Sequence, residues 1–84
     1  MVRLSRHIVT DPEVCHGKPV FTVRGGRPTR IMVYLVLEML EAGMTPEQIL
    51  AEYPSLTKAA IQDALHFAAE LSKYPPYAAS RVPA

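Results

Sequence analysis

The chain has 84 residues, of which about half are apolar and a fifth are charged, with a net charge of +1. A chain of this length forms one domain, and a domain this small buries only about 60% of the surface that its unfolded form exposes, which favours oligomerisation. The single cysteine excludes an intrachain disulfide, and no apolar run approaches the roughly 18 residues of a membrane span. We therefore expect residues 1–84 to form a single cytoplasmic domain that does not contact a membrane.

The basic residues are concentrated near the N-terminus. Residues 1–30 contain six basic and two acidic residues, a net charge of +4, whereas residues 31–84 contain three basic and six acidic residues, a net charge of −3. The basic surface is therefore expected in the N-terminal third, which bears on nucleic-acid binding because neutralisation of phosphates supplies most nucleic-acid affinity.

A small β element is predicted over residues 7–31. The short apolar segments 7–10 and 20–23 lie between turn residues and are typical of strands. Gly25-Gly26 accepts the positive φ angles of a hairpin turn, and Pro28 confines the returning arm, Arg27–Ile31, to a sheet edge. Residues 1–6 have no periodicity, and we expect them to be frayed.

The first helix is predicted between Ile31 and Ala42, and Gly43 is a suitable C-terminal stop. One apolar stripe faces the core: Val33, Val36, Leu37 and Leu40. A second apolar side is more than a three-helix domain can bury, so we predict that it forms a homodimer interface; its residues are Met32, Tyr34, Leu35 and Met39. The alternative is that the N-terminal hairpin covers this second side.

Two helix-start signals follow one another. Thr45 with Gln48 matches a capping box with Pro46 at the first helical position, and Thr57 is the cap of the next helix. Pro54 ends the first of these helices near Glu52. This order of a short helix, a tight turn and a longer helix predicts a helix-turn-helix within the three-helix core, residues 32–73.

The third helix is predicted from Lys58 to Ser72. Its expected inward face consists of Ile61, Ala64, Leu65, Ala68 and Leu71, and its expected outward row of Lys58, Gln62, His66 and Glu70. In a DNA-binding protein Lys58 and Gln62 would contact bases, while Arg24, Arg27 and Arg30 would contact phosphates. Because Asp63 and Glu70 lie beside this row, the alternative is a solvated face without DNA contacts.

No residue pattern indicates catalysis, a cofactor or a small-molecule substrate. Cys15-His16 lacks the further ligands of a zinc site, and neither residue has a partner with the spacing of a catalytic pair. We expect no metal and no enzyme activity; an enzyme using Cys15 or Asp11 is the alternative that a fully functional Cys15→Ser variant would exclude. The proline-rich tail, residues 74–84, is either frayed or an arm that binds a partner through Tyr74 and Tyr77.

Several motifs in fixed order resemble domain of unknown function family 433 (DUF433), whose members are small bacterial and archaeal proteins. The resemblance covers residues 8–70. It is carried by residues 11–20, 29–33, 46–50 and 53–57, together with Leu37, Gly43, Ile61, Ala64 and Leu65. It implies a mainly α fold, a homeodomain-like three-helix core behind a short N-terminal β-hairpin element. One departure is a lengthened basic hairpin at residues 22–27, with Pro28 where the family commonly has glycine.

Some members of this family are encoded beside a nuclease-like toxin and are regarded as antitoxins. The resemblance therefore implies an antitoxin that binds a toxin protein and that regulates its own operon if it binds DNA. The alternative is a protein–protein interaction module that has the helix-turn-helix shape and does not bind DNA, which the acidic helical section favours. A steep salt dependence of DNA binding would distinguish the first hypothesis from the second.

Overall fold

The computed structural model describes residues 1–23 and 26–74. In this part of the chain, an antiparallel sheet of four strands precedes three helices. The strands are β1 (Val2–Ser5), β2 (Ile8–Thr10), β3 (Val20–Thr22) and β4 (Pro28–Met32), and the helices are α1 (Val33–Glu41), α2 (Pro46–Glu52) and α3 (Lys58–Ser72). A short 3-10 turn occupies Cys15–Gly17 between β2 and β3. None of the helices in these described segments combines the length and apolar character that a membrane span requires.

The sheet is larger than the sequence predicted. Its strand order is β1-β2-β3-β4, so each strand pairs with its neighbour in the chain. The expectation that residues 1–6 are frayed was wrong, because β1 pairs with β2 through Val2↔Thr10 and Arg3↔Val9. Strand β1 is stabilised by its backbone hydrogen bonds to β2. Its four residues have no hydrophobic alternation, so their own sequence does not indicate this pairing. The fold is thus α/β, rather than a mainly α bundle with one short hairpin.

The pairing of β3 with β4 confirms the predicted hairpin arms. Thr22 lies opposite Pro28, and Pro28 is the first residue of an edge strand, where its missing amide costs no ladder hydrogen bond. The Thr29 hydroxyl donates to the Phe21 carbonyl over 2.8 Å and accepts from the Ile31 amide over 3.0 Å, which fixes β4 against β3. The expected turn falls partly on Arg24 and Gly25, which lie outside the described residues.

The helix boundaries follow the predicted caps. The Thr45 hydroxyl accepts from the Gln48 amide over 3.2 Å and the Gln48 side chain accepts from the Thr45 amide over 2.8 Å, so the capping box is confirmed. The Thr57 hydroxyl likewise accepts from the Ala60 amide over 3.1 Å. Helix α1 begins two residues later than Ile31, since β4 continues through Met32, and Gly43 follows it with a φ of +93°.

The core lies between one face of the sheet and the three helices. It comprises Ile8, Phe21, Val33, Val36, Ile49, Leu56, Ala60, Ile61 and Ala64. The predicted inward face of α3 was wrong at Leu65 and Leu71, which are 44% and 58% exposed. Helix α3 is instead rotated toward the sheet and buries Ala60 and Asp63, because it packs on β1 as well as on α1.

Candidate nucleic-acid interface

A buried carboxylate joins α3 to the turn between β1 and β2. The Ser5 hydroxyl donates to Asp63 Oδ1 over 2.6 Å, and the His7 backbone amide donates to Asp63 Oδ2 over 2.7 Å. His7 Nδ1 lies 3.5 Å from the same oxygen, and the Asp63 side chain is 10% exposed. Both carboxylate oxygens are thus occupied on the protein side, and the two residues that flank Arg6 are fixed to α3.

The environment of Asp63 keeps it ionised. Burial raises the pKa of this carboxyl, but the hydrogen bonds from Ser5 and from the His7 amide, with the nearby imidazole, outweigh that effect and hold the pKa below its ordinary value. The carboxylate therefore remains a charged acceptor at neutral pH, and the β1–β2 turn is held against α3.

Two adjacent grooves open beside this junction, and we call them together the basic groove. The first has a volume of about 580 Å³ and runs between the β1–β2 turn, the β3–β4 hairpin and the start of α3; it is lined by Arg3, Arg6, His7, Thr22, Val23, Gly26, Ser55, Leu56, Thr57 and Ala60. The second, of about 400 Å³, follows the outer side of α3 and is lined by Arg6, His7, Ala59, Gln62, Asp63 and His66. Arg6 and His7 line both.

Arg3 connects the β1–β2 turn with the hairpin. Its Nη1 donates to the Arg6 carbonyl over 2.8 Å and more weakly to the Ser5 carbonyl over 3.4 Å. Its Nη2 lies so close to Gly26 that a Cβ added there would be 3.4 Å away. The guanidinium of Arg3 is therefore held at the end of the sheet where Arg6 and the basic hairpin meet.

The residues predicted to contact DNA are only partly brought together. Gln62 is exposed and lines the basic groove. Arg27 and Arg30 are exposed on the hairpin arm and on β4, and Arg24 lies outside the described residues. Lys58 is exposed, but its Nζ forms an ion pair with Glu47 over 2.8 Å, which raises the pKa of Lys58 and lowers that of Glu47.

A family comparison covers most of this structure. The sequence model of a protein family described as "Protein of unknown function (DUF433)" matches residues 8–68, nearly three quarters of the chain. The chain belongs to the DUF433 family. Neither a curated protein nor a solved structure matches it. The matched range begins at β2, so Arg3, Ser5, Arg6 and His7 precede the part of the chain that the family model covers.

The residues weighed for catalysis have local structural roles. Asp11 Oδ1 accepts from the Glu13 amide over 2.9 Å and closes a turn. The Cys15 thiol donates weakly to the Arg30 carbonyl over 3.7 Å, and Cys15 and His16 have φ angles of +50° and +56° in the 3-10 turn. Across residues 1–23 and 26–74, no three histidine, cysteine or acidic side chains are grouped as metal ligands.

The predicted dimer residues do not form one continuous helical stripe. Met32 is the last residue of β4, and Met39 packs against the core. Tyr34 is 44% exposed, whereas Met32, Leu35 and Met39 are half-buried, so Tyr34 is the most accessible of the four predicted interface residues. Tyr74 is 69% exposed, whereas Tyr77 lies outside the described residues.

Sequence reasoning missed three residues of this site. Arg3 and Arg6 were assigned to a frayed terminus, and Asp63 was assigned to the surface. The inward position of Asp63 could have been predicted from helical spacing, because Asp63 lies three residues after Ala60 and four before Phe67, which both pack into the core. For Arg3 and Arg6, the one indication in the sequence was that they add to the positive charge of the N-terminal third.

Proposed function

We propose that this protein is the antitoxin of a toxin–antitoxin pair and that it binds DNA as a homodimer through α2 and α3. The proposed activity is binding, and it requires neither a catalytic residue nor a cofactor. The antitoxin role is supported by the resemblance to DUF433 described above, and DNA binding by the geometry around α3. The homodimer is supported by the apolar side of α1 at Tyr34, which is exposed, and Leu35, which is half-buried.

The observation that carries the DNA-binding proposal is the position of Gln62. Helices α2 and α3 are separated by the five-residue turn 53–57, and α3 exposes Lys58, Gln62 and His66 on one side. Gln62 lies in the basic groove with Arg6. A glutamine on the outer face of a recognition helix reads adenine through a bidentate contact, while adjacent cations bind phosphates.

Selection of binding sites from a pool of random duplexes tests this role. We expect Gln62→Ala to lose the preference at one base position, equivalent to about 1–3 kcal/mol of discrimination, while binding to mixed-sequence DNA is retained. Ser72→Ala is the matched control on the same helix, because the Ser72 hydroxyl bonds only to the Ala69 carbonyl of its own helix among the described residues. An unchanged preference in the Gln62 variant would exclude Gln62 as a base contact, and an unchanged preference in the Lys58→Ala, Gln62→Ala double variant would exclude α3 as the recognition helix.

Toxin neutralisation has a separate test. Co-expression with the product of the adjacent gene should relieve growth arrest caused by that product alone, and the two proteins should purify as one complex. If residues 74–84 are the binding arm, with Tyr74 and Tyr77 as anchors, truncation after Lys73 weakens the complex without changing DNA binding. Growth arrest that persists at excess antitoxin would contradict the proposal.

A protein–protein interaction module without DNA binding is the second candidate function. Two observations favour it: Lys58, which was predicted to contact bases, is paired with Glu47, and α3 exposes Leu65 and Leu71. Such a module would bind its partner with little salt dependence, whereas phosphate contacts weaken steeply as salt rises. A titration at two salt concentrations therefore separates the two functions.

A further inference from the structure

We propose that the β1–β2 turn is a phosphate clamp, in which Arg6, supported by Arg3, binds the phosphodiester backbone of duplex DNA beside α3. The clamp lies in a segment that the DUF433 match does not include, since that match begins at Ile8. It rests on the DNA binding proposed above and adds to it a contact made by the sheet rather than by the helix-turn-helix.

The backbone of Arg6 is held in place before any ligand binds. Its neighbours Ser5 and His7 both donate to the Asp63 carboxylate, at 2.6 and 2.7 Å, and its own carbonyl accepts from Arg3. Two of these contacts fix the turn against α3, and the third holds the turn against β1, the strand that leads into it. A backbone that is ordered in the free protein loses less conformational entropy on binding, so Arg6 contributes more in this turn than it would on a mobile terminus.

The charges around the groove leave Arg6 available. Asp63 is the acidic residue that lines it, and both of its oxygens are already hydrogen-bonded on the protein side. Within residues 1–23 and 26–74, no carboxylate forms an ion pair with Arg6 or Arg27, whereas Lys58 is bound to Glu47. Arg6, rather than Lys58, is therefore the cation beside Gln62 that can bind an anion without first breaking an ion pair.

The shape of the site indicates which anion it binds. A guanidinium presents a planar fork of donors that matches two phosphate oxygens. The groove is open, and its second part runs along the outer side of α3, so it suits a continuous backbone more than an enclosed small anion. When a recognition helix lies in the major groove, phosphates flank it on both sides. The Arg6 side of α3 is where one of those backbones would lie.

Salt-dependent binding of a fluorescent 30-base-pair duplex, taken from the DNA upstream of the gene, tests the clamp. If Arg6 of each protomer in the proposed homodimer neutralises one phosphate, Arg6→Gln lowers the magnitude of the slope of log K against log salt by about 1.8, which corresponds to an affinity about sixtyfold weaker at 0.1 M salt. The loss should be equal on a scrambled duplex, because phosphate contacts carry no sequence information. Arg6→Lys should retain the slope of the native protein.

Lys73→Gln is the matched control, because it removes the same charge from the end of α3, where Lys73 is paired with Glu70 over 2.9 Å and does not line the basic groove. Thermal unfolding of each variant establishes that the fold is retained. If the native protein binds and Arg6→Gln has the same slope as Lys73→Gln, the clamp is excluded and DNA binding through α3 stands. If the native protein does not bind either duplex, the DNA-binding proposal fails together with the clamp.

Discussion

Replacing Asp63 on helix α3 by alanine should strongly destabilise the fold, although only one residue is changed. The change removes two hydrogen bonds to a charged acceptor, from the Ser5 hydroxyl and the His7 amide. Such bonds contribute about 1.5–3 kcal/mol each. Because Ser5 and His7 are half-buried, water replaces part of each bond, and the lower end of that range applies, which gives a loss of about 3 kcal/mol for the two.

Thermal and urea unfolding measure this loss. For a domain of 60–100 residues, 1 kcal/mol shifts the midpoint by about 4–8 °C, so Asp63→Ala should unfold about 12–24 °C below the native protein. Ser5→Ala removes one of the two bonds and should lose about half as much. Glu47→Gln, which removes an exposed carboxylate and its ion pair with Lys58, should leave the unfolding midpoint close to that of the native protein, because exposed ion pairs are screened by solvent.

The pH dependence provides an independent check on the same carboxylate. The pKa of Asp63 is lower in the folded chain than its ordinary value, so the unfolded chain binds this proton first. Its contribution is complete above the unfolded pKa of about 3.9 and is lost as pH falls through the lower folded pKa. The native protein should therefore lose more stability below about pH 4 than Asp63→Asn does. Identical acid unfolding of the two proteins, or a midpoint of Asp63→Ala within 2 °C of the native one, would refute this account of the junction.

The remaining predictions concern the helix cap and the oligomer. Thr45→Ala removes the hydroxyl that accepts from the Gln48 amide and should cost about 1 kcal/mol in urea unfolding, whereas Ser72→Ala should be neutral; equal values would mean that the cap contributes nothing. Tyr34→Glu places a charge on the exposed side of α1 and should convert a dimer into a monomer by light scattering, at unchanged secondary structure. A dimer of unchanged mass would place the interface elsewhere.

Local signals in the sequence predicted the helices well, because each one is specified by neighbouring residues. The capping box at Thr45 and the cap at Thr57 need only residues three positions apart, and both are present in the structure. Pro54 similarly fixed the end of α2 near Glu52. The hairpin arms were predictable for the same reason, since Pro28 confines the returning arm to the edge of a sheet.

The sheet edge and the orientation of α3 could not be predicted in this way. Strand β1 exists because it pairs with β2, and its four residues carry no alternation that marks a strand on its own. The burial of Asp63 depends on Ser5 and His7, more than 50 residues away in the chain. The candidate site could not be predicted for the same two reasons, because Arg3 and Arg6 lie near α3 only when β1 is paired in the sheet.

A titration of isotope-labelled protein with the upstream 30-base-pair duplex, followed by amide NMR, tests DNA binding by the outer side of α3 most directly. The account predicts that the largest shift changes fall on residues 58–66 and on residues 5–7 at the β1–β2 turn, and that they disappear at high salt. Shift changes confined to α1 and β4, or no changes at a low salt concentration, would contradict it.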